Sequence, residues 1–166
     1  MKSNSIFRIT TVMLVFFFVQ NSFAQINKVD TLNEVVIRST SLVEKAVTKA
    51  FTIDFKNAVN PRWFKVDKNY LVKFISADQK NQALYKKDGL LIYHITYLLN
   101  TVSLPNDIRG MINTSYPDSK ILTAIHVDQD SRSIWVVNLK VGGEFVLARV
   151  EDEQVEEVQR MADISI

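Results

Sequence analysis

Residues 70–97 read YLVKFISADQKNQALYKKDGLLIYHITY, and the alternation inside this stretch decides the fold class. Tyr70, Val72 and Phe74 alternate with Leu71, Lys73 and Ile75, and Ala83 and Tyr85 alternate with Leu84 and Lys86. Leu91, Tyr93, Ile95 and Tyr97 then alternate with Ile92, His94 and Thr96. A period of two puts successive side chains on opposite faces of a strand. Lys87-Asp88-Gly89 supplies a hairpin turn, so the stretch predicts an antiparallel meander, with Trp63-Phe64 placed to lead it.

On the N-terminal side the period lengthens. Ser41-Leu42-Val43-Glu44 has the spacing of a capping box. Val43, Ala46, Val47, Ala50, Phe51, Phe55 and Ala58 follow at three- and four-residue intervals, the stripe of an amphipathic helix that Asn60-Pro61 ends. On the C-terminal side a second helix follows Leu104-Pro105, with Asp107 in its first turn and Ile108, Met111, Ile112, Ser115 and Tyr116 facing inward, until Pro117 closes it. Strands resume at residues 121–127, 133–140 and 144–150, the last two joined across Gly142-Gly143. The order predicts an α+β fold in which two tandem helix-plus-antiparallel-sheet units form one sheet backed by helices. A repeat is suggested by three correspondences: Pro61 with Pro117, Tyr70–Phe74 with Trp135–Leu139, and the acidic turns at Asp88 and at Glu151-Asp152-Glu153.

The chain has 166 residues, four Gly, three Pro and no Cys. That length can bury one substantial core, and thiol chemistry and disulfide scaffolds are excluded. Lys2 and Arg8 account for the formal charge of +2, because beyond residue 24 basic and acidic residues are equal in number. The basic pI is therefore no argument for nucleic acid. Lys2 and Arg8, the apolar run Ile9–Val19 and Ser22-Phe23-Ala24 have the arrangement of a cleavable signal peptide over 1–24. The run is too short to span a bilayer, nothing later approaches that length, and no lipobox Cys follows it. The expected compartment is the periplasm or the exterior, with no membrane span after cleavage.

Residues 25–40 read as an extended linker, in which Val35-Val36-Ile37 can add to a sheet edge, its own or a partner's. The folded domain is expected over 41–152. Residues 153–166 form an acidic tail, with a last short helix through Val155, Val158 and Met161.

Ala50-Phe51 with Phe55, Pro61, Trp63, Tyr70-x-Val72-x-Phe74, Ala83-x-Tyr85, Asp88-Gly89, Leu104-Pro105, Ile108, Ile112, Tyr116-Pro117 and Trp135-x-Val137-x-Leu139 follow one another in an order resembling the PepSY-like, or β-lactamase-inhibitor-like, exported proteins of Bacteroidetes. The resemblance covers residues 43–153. It implies a repeated unit of helix plus antiparallel sheet, export and no established enzymatic activity, and it suggests protein binding. It assigns no binding residue here, and the chain lacks the cysteines of the secreted inhibitors.

No catalytic constellation emerges. His94 and His126 are the only histidines, neither at ligand spacing from a partner, and Asp128 and Asp130 near His126 read as a solvated strand end. Asp128–Arg132 lacks the glycine and glutamate of a calcium loop, and no serine lies in Gly-x-Ser-x-Gly. No catalytic, cofactor-binding or metal-ligating residue is assigned. What remains is surface. With Tyr70, Val72, Phe74, Trp135, Val137 and Leu139 facing the helices, the opposite face carries Leu71, Lys73, Ile75, Leu84, Lys86, Ile134, Val136, Asn138 and Lys140. That set is an ordinary half-polar face, a second buried layer or a site for an unknown periplasmic or outer-membrane protein. The expected function is a non-enzymatic protein-binding module, inhibitory or regulatory; the alternative is a carrier or sensor of a small apolar ligand held between helices and sheet.

Overall fold

The computed structural model describes residues 34–37, 40–98 and 100–164. The leader at 1–24 and most of the linker lie outside the described residues. Among the described residues nine strands form one antiparallel sheet in chain order: β1 (Glu34–Ile37), β2 (Val59–Val66), β3 (Asn69–Ser76), β4 (Gln79–Tyr85), β5 (Leu91–Leu98), β6 (Lys120–Gln129), β7 (Arg132–Val141), β8 (Glu144–Glu151) and β9 (Gln154–Ala162). Helix α1 (Lys45–Asp54) precedes β2, and α2 (Asn106–Ser115) connects β5 to β6. The architecture is α+β.

Tight turns dictate the meander. Two residues separate β2 from β3, β3 from β4, β6 from β7, β7 from β8 and β8 from β9. Ala77 and Asp78, Asp130 and Ser131, and Asp152 and Glu153 all have positive φ, the mirror-image turn whose twist matches that of paired strands.

Both helices lie on one face. Val47 and Phe51 of α1 pack with Trp63, Tyr70, Val72, Phe74, Ala83 and Tyr85. Ile108 and Ile112 of α2 pack with Ala124, Val137, Leu139, Val146, Ala148 and Val150. The helix-facing set therefore lies where the alternation placed it, Trp135 being half-buried against the second cluster.

Three expectations are corrected. The tail expected as a helix is strand β9, paired along β8. Leu147 pairs with Gln159 and Ala148 with Glu157, so Val158 is the extra residue of a bulge. A strand whose alternation slips once places Val155, Val158 and Met161 at intervals of three, and that interval imitates a helix. The domain limits are corrected next: Val35-Val36-Ile37 adds to the sheet's own edge, as expected of it, since β1 joins β2, and this takes residues 34–37 into the domain. The ordered sheet thus extends beyond the domain limits expected at 41 and 152. Finally, α1 is shorter than its apolar stripe. Its N-cap is Glu44, without a capping side-chain bond, and a 3-10 turn at Thr40–Leu42 precedes it. Pro61 does not end the helix but sits inside β2, at a bulge between Val59 and Arg62, beyond the four residues that β1 pairs. An edge and a bulge are where a strand tolerates a missing N–H.

Candidate functional site

Opposite the helices, cross-strand register arranges the side chains in rows. Ile95, Val127 and Ile134 are mutual neighbours on β5, β6 and β7, and Tyr97, Ile125 and Val136 form the adjoining row. These six apolar side chains make a block two residues high and three strands wide. Five are half-buried, Tyr97 is 36% exposed, and no described helix covers them. The same rows continue outward into charge. Toward β2 they reach Arg62, Lys73 and Lys80, and toward β8 Val136 meets Arg149. Antiparallel sheets commonly present one face to water, and here the centre of that face is a contiguous apolar block.

The nine residues expected on this face divide into three groups. Leu71 and Leu84 are buried, a correction: with Val66 they form a small cluster of their own, against Phe64, Ile92 and Tyr93. Here the outer face is a second buried layer. Lys86 is corrected too, since it lies past the end of β4, where its N–H donates to the Leu90 carbonyl and closes the turn. The other six lie in strands whose alternation turns them away from the helices. Ile75, Ile134 and Val136 are half-buried, the Lys73 ammonium lies 4.6 Å from the centre of the Phe64 ring, Asn138 donates to Thr123 Oγ1 at 2.8 Å, and Lys140 pairs with Asp163 at 2.5 Å. Ile95, Tyr97, Ile125 and Val127 belong to the face and were not on the expected set. Their alternation was visible, but their facing was not, because β4–β5 and β6–β7 each carry a bulge that reverses parity.

On the helix side, between the two hydrophobic clusters, the structure brings together groups that the sequence kept apart. His94 pairs across the ladder with Asp128, and Thr96 with His126. His94 Nδ1 is 3.4 Å from Asp128 Oδ2, and His126 Nε2 is 3.4 Å from Asp128 Oδ1. Asp128, expected at a solvated strand end near His126, is half-exposed and meets both histidines. Asn81 Nδ2 donates to the Gln79 and Ser76 carbonyls, which aims its Oδ1 at Thr96 Oγ1 and His94 Nε2. That network assigns the His94 proton to Nε2. His126 Nε2 is 2.7 Å from Ser133 Oγ, and its ring stacks on Trp135 at 4.4 Å.

These atoms do not make a nucleophile. In a Ser-His-acid relay, hydroxyl and carboxylate engage opposite ring nitrogens, whereas Ser133 and Asp128 both face Nε2 of His126. Among the described residues no group of three or more His, Asp or Glu side chains is arranged to hold a metal ion. The cluster does carry a proton linkage. Desolvation lowers the His94 pKa below its ordinary value, Asp128 opposes the shift, and His126 adds to it. The unfolded chain then binds this proton more readily than the folded one. The stabilising contribution is complete above about pH 6.5 and is lost as pH falls through the lower folded value. The urea midpoint should therefore decline from about pH 7.5 to about pH 5, and His94→Gln should flatten part of that decline. Parallel profiles for the two proteins would remove His94 as the linked group.

No family model matches the chain, and no curated protein matches it. Solved structures do. A BLIP-like protein from Bacteroides fragilis aligns with a TM-score of 0.59 and 14% identity, over 75% of this chain and 92% of its own. A DUF2874 family protein from Bacteroides ovatus aligns at 0.57 and 14% identity, over 75% and 94%. A candidate periplasmic protein from Bacteroides eggerthii aligns at 0.57 and 10% identity, over 72% and 88%. At these identities the likeness shows a shared fold. Among the described residues no helix is long and apolar enough to cross a membrane.

Proposed function

We propose that this protein is a non-enzymatic module of the periplasm or the cell exterior that binds another protein through the open face of its sheet. The observation that carries the reading is the block of Ile95, Tyr97, Ile125, Val127, Ile134 and Val136, contiguous and without a covering helix. Six clustered apolar side chains leave water when a partner settles on them, and the charged side chains at the margins of the rows contribute to the orientation of the contact. The signal-peptide pattern over 1–24 and the fold shared with a candidate periplasmic protein support the location. The fold shared with a BLIP-like protein and the geometry at Ser133 support binding over catalysis. A PepSY-like ancestry fits the element order, in which a helix followed by four strands occurs twice, each helix over its own hydrophobic cluster. We read the two halves as diverged copies of one unit.

The test is capture from periplasm with full-length, C-terminally tagged protein at native expression, followed by hydrogen exchange on the isolated complex. A stoichiometric partner is expected, with added protection in β5, β6 and β7. Val127→Lys and Ile134→Lys, confirmed folded by thermal denaturation, should each weaken capture at least about tenfold, the scale of a buried interface position. Absence of a partner, or undiminished capture by both variants, rejects the reading.

A further inference from the structure

At its N-terminal edge the sheet shows how a short added strand is held. β1 pairs with residues 63–66 of β2 and stops at the bulge between Val59 and Arg62. Its Ile37 packs against the α1 cluster, so backbone pairing grips the strand along one side and a helix-covered core grips one face. The opposite edge offers the same support with no strand on it. Among the described residues β9 pairs with β8 alone, which leaves the outward N–H and C=O groups of alternate residues without a ladder partner. Between the β8–β9 turn and the bulge at Val158, residues 154–157 form a regular run.

Helix α2 stands beside this run. Asp107, Gly110, Met111 and Thr114 recur at three- and four-residue spacing on one helix face, and with Glu153 and Val155 they line a groove of about 440 Å³. Met111 and Val155 are half-buried at the margin of the α2 cluster and supply apolar surface. Gly110 supplies room, since nothing lies within 4 Å of the place a Cβ would take. A strand paired with residues 154–157 would put every second side chain on the face that Val155 occupies, toward the groove. The acids nearby differ in one respect. Glu151, Glu156 and Glu157 pair with Arg132, Arg149 and Arg160. Asp107 and Glu153 are exposed and make no ion pair among the described residues. Two carboxylates on one groove, neither neutralised, favour an arriving cation.

We propose that the β9 edge beside α2 takes up an extended segment of a partner protein by strand addition, with an aliphatic side chain against Met111 and Val155 and a Lys or Arg side chain toward Asp107 and Glu153. Backbone pairing supplies the affinity and the groove selects the sequence. The bulge at Val158 limits the pairing, as the bulge in β2 limits that of β1. This edge is separate from the apolar block on β5, β6 and β7, so the proposal and the proposed function can fail independently.

The probe is the peptide acetyl-Thr-Lys-Thr-Val-Thr-Val-Thr-amide, whose Lys and Val side chains share one face of a strand. One companion carries Glu in place of Lys, and another carries Pro in place of the central Val. Each is titrated into the full chain and followed by amide and methyl NMR. The lysine peptide is expected to bind saturably, to shift the amides of residues 154–157 and the Met111 methyl, and to slow amide exchange in that run. The glutamate and proline peptides should each bind at least about tenfold more weakly. Glu153→Lys should bring the lysine and glutamate peptides to within about threefold of each other. Gly110→Leu fills the groove while raising helix propensity, so this variant should melt no lower than the parent and still lose at least about tenfold for the lysine peptide. No saturable binding, shifts that map to β1 or to the open face, equal binding of the lysine and glutamate peptides, undiminished binding by Gly110→Leu, or protection of residues 154–157 by self-association of the peptide-free chain would each overturn the proposal.

Discussion

Gly89→Ala is expected to lower the stability by about 3 kcal/mol, the sum of backbone strain and a steric conflict that side-chain motion cannot relieve. Gly89 sits in the turn between β4 and β5 at φ +91°, a conformation that an L side chain rarely adopts. Its amide donates to the Lys86 carbonyl, and the Leu90 amide donates to Asp88 Oδ1, so the turn is tied at both ends. A Cβ there would lie 2.8 Å from the Ala46 carbonyl oxygen and 3.1 Å from its carbonyl carbon, both backbone atoms of α1. Either the turn lifts from the helix or the helix lifts from the sheet, and both moves open the cluster around Phe51. Because the obstacle is backbone, shortening the nearby Ala50 side chain to glycine should not rescue the variant. Gly110 supplies the contrast. It lies inside α2 with nothing within 4 Å of its missing Cβ, so Gly110→Ala should stabilise by about 1 kcal/mol. Denaturant midpoints of the two variants should move in opposite directions. A loss below about 1 kcal/mol for Gly89→Ala would mean that the turn does not rest on α1.

How much of this was legible in the sequence follows from what is local. Alternation in residues 70–97 and the three-four spacing of Val47, Phe51, Ile108 and Ile112 predict strands, helices and the helix-facing set, because each depends on neighbours a few residues away. The make-up of the open face depends on register, and register accumulates every turn and bulge along the meander. Four ladders contain a shift, at Val59/Arg62, Leu84/Tyr85, Ile121/Thr123 and Leu147/Ala148. Each reverses which residues look outward, and none has a glycine within the strand to mark it. Hence Ile125 and Val127 were missed while Ile134 and Val136 were placed. The spacing of His126 and Asp128, two apart on one strand, could have signalled a shared face. The arrival of His94 opposite Asp128, 34 residues away, required the long α2 crossover to deliver β6 in one particular alignment.

Phe51→Ala should cost about 4 kcal/mol, within the usual range for emptying a buried phenylalanine site. Phe51 is 7% exposed, and its ring meets Trp63 at 5.3 Å and Phe74 at 5.2 Å, both edge to face, and Phe55 at 5.7 Å. Removing it leaves a void bounded by rings that cannot all turn inward, since Phe55 is also held against Phe74 and His94. Phe51→Leu, which keeps most of the volume, should cost only about 1 kcal/mol. The informative measurement is where the loss appears. Phe51 touches only the α1 cluster, whereas Ile112 stands in the α2 cluster. The halves share the β5–β6 ladder, from His94 with Asp128 to Leu98 with Ala124. If that ladder couples them into one cooperative unit, amide protection at Val137 and Val146 should fall with that at Val72 and Tyr85, and Phe51→Ala combined with Ile112→Ala should remain a single weakened transition. Protection at Val137 unchanged while Val72 exchanges freely would show two autonomous units. The apolar block proposed as the binding surface, built from β5, β6 and β7, straddles that junction. A cooperative sheet holds all three strands of the block at one stability, so a partner would meet a surface already formed, without the cost of ordering it on contact.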